Sequence, residues 1–420
     1  MELFSSKISL PDTAIRPPLN LDIFVGRQPI FDRYLRVIGY ELLYRSFGAN
    51  RALFIDGDRA TSQVILNSFA EIGIEEIVGN QKLFINLTRN FFLKKYPIPL
   101  LPGRLVIEVM ENILIDNEIL SALRDLSHSG YKIALDDISH PYILPQLLEI
   151  ADLVKVDLKG IKIGQLNEYV HNFNHTKTKL LAEKVETRAE FDKCMQIGFD
   201  YFQGFFLCKP NLVTARHIPT SRLVLLHLLG KIQDPNINFR LIEEIIAQDP
   251  TLGYKLLRLT NSVYFGIRTK IESIRQAISL IGLDQIRSWL TLILLVDTND
   301  KPRELTVFAM VRAKMCELLA IAARAAQPER FFLTGLFSSL DAFMDQSMEQ
   351  ILSVINLSDE IVEAILDQEG LLGKALKCTI AYEHAEWEEV GFLDLSSEKI
   401  RDIYLESLSW VELTKKTLRL

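Results

Sequence analysis

The sequence predicts an α/β domain followed by an all-helical domain. Between about residues 21 and 212, short β-rich runs alternate with stretches of helical period, the signature of strands joined by helical crossovers. From about residue 213 onward the apolar positions follow a helical period throughout. Residues 1–20 read as a loose tail, 21–212 as the α/β domain and 213–420 as the helical domain.

The strand candidates in order are "LFINL" (83–87), "RLVIEVM" (104–110), "KIALDD" (132–137), "LVKVDL" (153–158) and "KLLAEKV" (179–185). "QVILNSFAEIGIEEI" and "NEILSALRDLSHSGY" are the helical stretches between them. Such alternation implies parallel strands, as a closed barrel or a doubly wound sheet. In the second half, "SRLVLLHLLGKI", "LIEEIIAQDPTLGYKLLRLTNS", "SIRQAISLIGLDQIRSWLTLILLV", "ELTVFAMVRAKMCELLAIAARAA" and "MEQILSVINL" are helices, punctuated by Asp249-Pro250, Gly282 and "NDKPRE" (299–304).

Composition excludes several classes. The chain has 420 residues, 48% of them hydrophobic, which is enough for two or three packed cores and too much for a disordered chain. Its net charge of −7 argues against a nucleic-acid binder driven by bulk charge. "MELFSSKISLPDTAIRPPLN" lacks the basic and apolar regions of a secretory leader. The longest uncharged apolar run, 288–296, is far short of a membrane span. The four cysteines, Cys194, Cys208, Cys316 and Cys378, are scattered without a CxxC pair and read as reduced thiols of a cytoplasmic protein.

The apolar runs of the α/β domain end in polar residues: Glu41 in "IGYELLYR", Asn86 in "LFINLT", Glu108 in "VIEVME", Asp136 and Asp137 in "ALDD", Lys155 and Asp157 in "VKVDL", Glu183 in "LLAEKVE" and Gln203 in "DYFQGFF". Singly, such an acid at a strand end serves as a helix cap, and Lys155 would pair with Asp157 or Glu183. Jointly they are too many for capping. In a barrel of parallel strands these ends meet on one face, where such folds put their chemistry. Carboxylates with an Asn amide oxygen are hard ligands suited to Mg²⁺ or Mn²⁺. A pair of such ions can activate water against a phosphodiester, and Lys155 would donate to the water or to a phosphate oxygen.

The string "RQPIFDR…YELLYR…FINLT…VIEVME…ALDD…VKVDL…LLAEKVET…GFDYFQGFFLCKP" resembles the EAL domain, the cyclic di-GMP phosphodiesterase family, over roughly 22–212. "IIAQDPTLGYKLLRLTNSVYFG" and "SIRQAISLIGLDQIRSWL" resemble the HDOD domain. Together they resemble bacterial EAL–HDOD signalling proteins of the YuxH type. The resemblance implies a TIM-like (β/α) barrel, a cytoplasmic location, and two bound ions of Mg²⁺ or Mn²⁺. By position, Glu41, Asn86, Glu108, Asp136 and Asp137 match metal ligands. Lys155, Glu183, Glu186 and Gln203 match the catalytic set. Gln28 and Arg45 match positions that contact the substrate, and an arginine suits phosphate. Glu111 matches the glutamate that holds the loop after the aspartates.

The sequence departs from the family after Asp137. "DDFGTGYSSL" reads "DDISHPYILPQLL", with Ser139 and His140 where glycines would be free to turn, and a stiffening Pro141. The loop histidine His140 reads as a surface residue. "AEGVE" reads "AEKVE". The resemblance also implies a homodimer formed near this altered loop.

HDOD resembles the HD phosphohydrolases, which need a His-Asp pair in a helix. The matching stretch "FLTGLFSSLDAFM" holds Ser338, Ser339 and Leu340 before a lone Asp341. The histidines of the domain are His217, His227 and His384, two of them in or near its first helix. This is the pattern of a non-catalytic module that meets a protein partner. Lys255, Arg258 and Arg268 read as a solvated basic face.

Three functions follow. The first is a metal-dependent phosphodiesterase that opens cyclic di-GMP to linear pGpG. The second is a degenerate EAL receptor that binds cyclic di-GMP without turnover. The third is a protein-interaction adaptor, disfavoured because many buried acids without metal are electrostatically costly. Neither a nucleic acid nor a membrane is an expected partner.

Overall fold

The computed structural model describes residues 23–46, 77–94, 98, 100–136, 145–161, 166–173, 177–208, 220–234, 236–248, 250–262, 271–296, 301–355 and 357–418. The tail 1–20, most of the stretch "QVILNSFAEIGIEEI", Asp137 with the loop through residue 144, His217 and Arg268 lie outside them.

Eight strands close into a barrel in sequence order: β1 (Ile23–Asp32), β2 (Val37–Ser46), β3 (Lys82–Asn86), β4 (Leu105–Met110), β5 (Lys132–Asp136), β6 (Leu153–Asp157), β7 (Lys179–Glu183) and β8 (Tyr201–Gln203). Helices α1 (Arg89–Lys94), α2 (Asn117–His128), α3 (Pro145–Leu148), α4 (Leu166–Phe173) and α5 (Arg188–Ile197) alternate with the strands from β3 onward. Strands β2 to β8 pair in parallel, as the alternation predicts. β1 corrects that expectation, because it runs antiparallel to both β2 and β8. The segment between β1 and β2 is too short for a crossover, so the chain must double back. Asp32 holds the turn by accepting from the N–H groups of Tyr34 and Arg36 at 2.8 and 2.9 Å.

Side chains alternate across each strand, so one set of positions fills the lumen and the other meets the surrounding helices. The lumen floor is apolar, with Ile30, Phe84, Val106, Ala134, Leu153 and Leu181 packed together. Gly39 supplies no side chain to this layer. A Cβ there would come within 2.5 Å of the Phe84 ring. The outer positions, including Ile85, Ile107, Ile133, Val154 and Leu180, form a second core against the helices.

After β8 the chain is helical: α6 (Thr220–Gln233), α7 (Phe239–Gln248), α8 (Pro250–Thr260), α9 (Ile274–Ile281), α10 (Leu283–Val296), α11 (Arg303–Ala322), α12 (Pro328–Phe337), α13 (Leu340–Met344), α14 (Met348–Leu352), α15 (Asp359–Leu366), α16 (Gly370–Glu383) and α17 (Ser397–Leu418). α11 is buried along almost its whole length, the mark of a central helix covered on every side. Phe24 of β1 belongs to this helical core, so the barrel and the helices share packing. No described helix is long and apolar enough to cross a membrane.

Candidate metal and phosphodiester site

The alternation that builds the lumen floor also builds the site. Two residues beyond the floor on each parallel strand stand Asn86 after Phe84, Glu108 after Val106, Asp136 after Ala134, Lys155 after Leu153, Glu183 after Leu181 and Gln203 after Tyr201. Glu41 stands two beyond Gly39. On the reversed β1, Gln28 stands two before Ile30 and is paired across the ladder with Glu41. A polar layer therefore caps an apolar plug.

Lys155 is the hub of this layer and is fully buried. Its ammonium lies 2.7 Å from Glu108 and Asp136, 2.9 Å from Glu183 and 3.1 Å from Glu41. Gln203 donates to Glu41 at 2.5 Å and to Gln28 at 2.9 Å, and Asn86 donates to Glu41 at 3.3 Å. Four carboxylates around one ammonium leave a net negative charge in a closed space.

The electrostatics follow. Burial, with Asp136 and the other acids, pushes the Glu41 and Glu108 carboxyls above the ordinary range, Glu108 well above it. Burial pushes Glu183 up to about 8, even against the attraction of Lys155. Burial alone would lower the Lys155 pKa, but the surrounding carboxylates outweigh it and hold the amine firmly protonated. Raised carboxyls beside a saturated cation mean that the layer lacks positive charge.

A divalent cation fits that deficit. Glu41, Glu108 and Asp136 offer ligand oxygens that all lie within 4.8 Å of one another. Glu108 Oε2 and Glu183 Oε2 are buried without a hydrogen-bond donor among the described residues. Hard, crowded oxygen donors of this kind suit a divalent ion of the Mg²⁺ class.

Other sequence-singled residues stand apart from the layer. Asp157 lies one pleat beyond Lys155 at the end of β6, outside the layer; it accepts from the Lys159 N–H at 2.8 Å and pairs with Lys184. Glu186 is half-exposed and pairs with Lys159 at 2.8 Å. It lies at the head of α5, where Thr187 and Glu190 form a reciprocal cap. Glu111 is exposed in the turn after β4. Of Arg45 only the backbone on β2 is described, and Asp137 is not described at all.

Two backbone features support the layer. Gly204 follows Gln203 with φ +148°, and a Cβ there would strike the Val185 backbone, so only glycine lets β8 end this close to β7. Lys184 of "AEKVE" takes the left-handed φ of +55° that the family's glycine would adopt freely.

In the helical domain Ser338 and Ser339 of the HD-like stretch meet a buried ion pair from neighbouring helices. Arg312 donates to Glu383 at 2.7 Å, to Ser338 Oγ at 3.0 Å and to Ser339 Oγ at 3.4 Å. Burial lowers the affinity of Arg312 for its proton, but Glu383 more than restores it. Among the described residues no second grouping of acids, histidines or cysteines could hold a metal. His227 is exposed, and His384 lies against the Phe205 ring at 4.0 Å. Lys255 and Arg258 are half-buried on α8, and Arg258 donates to the Lys416 carbonyl at 3.4 Å in an exposed contact.

Sequence reasoning missed Arg27, Tyr40 and Glu304, which meet at the junction of barrel and helices. The signal was available in part, because Arg27 and Tyr40 each adjoin a layer residue and must face the other way.

Comparison with known proteins agrees with this architecture. The EAL domain family matches residues 71–210 and the HDOD domain family residues 218–383. The uncharacterized protein YuxH of Bacillus subtilis is 33% identical, over 92% of this chain and 98% of its own length. The cyclic di-GMP phosphodiesterase CdgJ of Vibrio cholerae is 32% identical, over 92% of both chains. A manganese/cyclic di-GMP complex of Klebsiella pneumoniae BlrP1 is 26% identical over 46% of this chain and 56% of that one, with a TM-score of 0.39. On its identity to YuxH and CdgJ over nearly their whole lengths, with both domain families matched, the chain belongs to the family of proteins that join an EAL domain to an HDOD domain.

Proposed function

We propose that the protein is a metal-dependent phosphodiesterase of cyclic di-GMP signalling. It opens the cyclic dinucleotide to linear pGpG, with a helical domain that does no chemistry of its own. The observation that carries this reading is the single lumen layer in which Lys155 meets Glu41, Glu108, Asp136 and Glu183, flanked by Asn86, Gln203 and Gln28. The name of CdgJ supports the substrate.

Glu41, Asn86, Glu108 and Asp136 would hold the first ion, and Asp137 would complete a place for a second, each Mg²⁺ or Mn²⁺. Bound there, the ions would supply an activated water and offset the charge on the phosphodiester. The residues do the rest. Lys155 stays an ammonium and donates to the attacking water or a phosphate oxygen. Gln203 and Glu183 orient the water, while Gln28 and Arg45 hold the nucleotide. Water's oxygen forms the new bond to phosphorus, the ester P–O bond breaks, and the released ribose oxygen takes up a proton. In the helical domain, Ser338 and Ser339 stand where an HD enzyme needs its histidine ligands and accept from Arg312, which is already paired with Glu383; this supports a regulatory part met by a protein partner.

The test is to incubate purified protein with cyclic di-GMP and Mg²⁺, then Mn²⁺, and to chromatograph the products. Linear pGpG that disappears in Glu41→Ala is expected. Nucleotide binding by calorimetry without product would replace the enzyme with a receptor, the outcome that the altered "DDISHP" loop favours.

A further inference from the structure

β1 is longer than the neighbour that closes the barrel. It pairs with β2 from Ile23 to Phe31, but with β8 only at Ile30, Phe31 and Asp32. Among the described residues, the stretch from Ile23 to Pro29 has no strand on its β8 side. An open strand edge leaves backbone donors and acceptors unsatisfied, and a buried one must be covered.

The helical domain covers it with tyrosine hydroxyls. The Val25 N–H donates to Tyr382 Oη at 3.3 Å, and that hydroxyl donates back to the Val25 carbonyl at 2.9 Å. Two residues on, the Arg27 N–H donates to Tyr404 Oη at 3.3 Å. The next residue of that parity is Pro29, which has no N–H to satisfy. Tyr382 and Tyr404 stack on each other with ring centroids 4.5 Å apart, and Trp387 lies flat against Phe24 at 5.2 Å. A Cβ on Gly26 would meet the Trp387 ring at 3.0 Å.

β2 is gripped as well. Tyr40 donates to Glu304 of α11 at 3.0 Å in a buried contact. The Arg27 guanidinium lies over the Tyr40 ring, 4.2 Å from its centroid, and donates to the Ile77 carbonyl. Two of the gripped residues adjoin members of the polar layer. Tyr40 precedes Glu41 and Arg27 precedes Gln28, with side chains on opposite faces of the same strands. Glu41 and Gln28 are themselves paired across the ladder and bridged by Gln203.

We infer that Tyr40, Glu304 and Tyr404 are positioning residues for the barrel site: the helical domain holds the β1–β2 ladder at the height and tilt that present Glu41 to the metal. This rests on the reading of Glu41 as a metal ligand. The helical domain then acts on the site without reaching it, because one peptide unit carries movement of α11 to Glu41 and movement of α17 to Gln28, its partner across the ladder.

The test uses full-length protein and Mn²⁺ alone, with free Mn²⁺ read by electron paramagnetic resonance, alongside the thermal unfolding midpoint of each variant. Tyr40→Phe and Tyr404→Phe keep their rings and lose one hydroxyl. Each is expected to weaken Mn²⁺ binding by about three- to tenfold, the worth of one buried hydrogen bond. Glu304→Ala should match Tyr40→Phe, whereas Glu304→Gln keeps an acceptor for Tyr40 and should restore affinity to within about twofold of wild type. A merely structural role would lower the unfolding midpoint but leave the Mn²⁺ affinity of the folded molecules unchanged, and that result overturns the inference. Wild-type protein that binds no Mn²⁺ would overturn the metal site itself and this inference with it; wild-type binding with unshifted variants overturns the inference alone.

Discussion

Lys155→Met is the most informative single change, because it removes the one ammonium among four carboxylates and keeps the length of the side chain. Lys155 is fully buried, and its partners lie between 2.7 and 3.1 Å away. Deleting one member of a buried ion pair costs about 3–5 kcal/mol, because the remaining charge is stranded. In metal-free protein at pH 8 the cost should fall in that range. It should shrink in acid. The Glu41, Glu108 and Glu183 carboxyls are already raised, Glu183 to about 8, and losing Lys155 raises them further. An acid whose folded pKa lies above its unfolded value binds extra protons on folding, so stability rises as pH falls through the window between the two. One extra proton is worth about 1.4 kcal/mol per pH unit. Wild type shares part of this uptake through Glu183, so it is each proton the variant takes up beyond wild type that counts; one such proton would lower the penalty of Lys155→Met by roughly 3 kcal/mol between pH 8 and pH 6.

The assay is native-state hydrogen exchange on peptides spanning β5 to β7, in EDTA, at both pH values. All three tryptophans lie in the helical domain, so fluorescence would report the wrong half of the molecule. A penalty under about 1 kcal/mol at pH 8, or one equal at the two pH values, would refute the argument that the layer is short of positive charge. Added Mn²⁺ should recover part of the loss.

Three further outcomes are expected. Glu108→Gln should leave chelated protein as stable as wild type or more so, because it removes a fully buried carboxyl already pushed towards its neutral form. It should weaken Mn²⁺ binding by about a hundredfold or more, since even outer partners of a metal site are worth 10–100-fold; calorimetry and thermal unfolding read the two halves. Lys184→Gly should change stability by less than about 1 kcal/mol, because relief of the left-handed φ offsets the lost ion pair with Asp157 and the freer unfolded chain, whereas Lys184→Val should cost more than about 1 kcal/mol. His384, whose pKa burial holds below 6.5 against the pull of Glu383 and Glu386, should titrate below that value by NMR. The folded state then binds fewer protons than the unfolded one, so this group's contribution is full above pH 6.5 and is lost as pH falls below it. A His384 titration at or above 6.5 would show that the ring against Phe205 is well solvated.

What the sequence made legible was the set of lumen side chains, because each follows an apolar residue at a spacing of two and strand geometry does the rest. Gln28 was legible only through its motif, since β1 runs backwards and a period-two pattern carries no direction. The same property hid the antiparallel β1. Asp157 and Lys155 look alike in "VKVDL", yet they part because they share a face and Asp157 lies one pleat higher, outside the closed layer. Glu186 looks like Glu183, yet the cap formed by Thr187 and Glu190 turns it towards Lys159. The junction with the helical domain was illegible because its partners, Arg27 with Tyr404 and Tyr40 with Glu304, lie hundreds of residues apart in sequence, and hydroxyl-to-backbone bonds leave no periodic trace.

The two halves also solve a common electrostatic problem in different ways. In the helical domain Glu383 is answered by Arg312, a side chain that keeps its charge at any ordinary pH, so that position is neutral, hydrogen-bonded and closed. In the barrel, one lysine is shared among four carboxylates and the deficit is left standing. A chain selected for stability alone would close both, since a buried, under-compensated acid layer costs free energy on every folding event. The Arg312–Glu383 pair leaves no comparable charge deficit in its own surroundings. The remaining frustration is concentrated where a divalent ion would relieve it, on strands whose outer edge is held by the closed half. Metal binding at the barrel should therefore stabilise the whole chain, and loosening the tyrosine grip should diminish that gain before it unfolds either half.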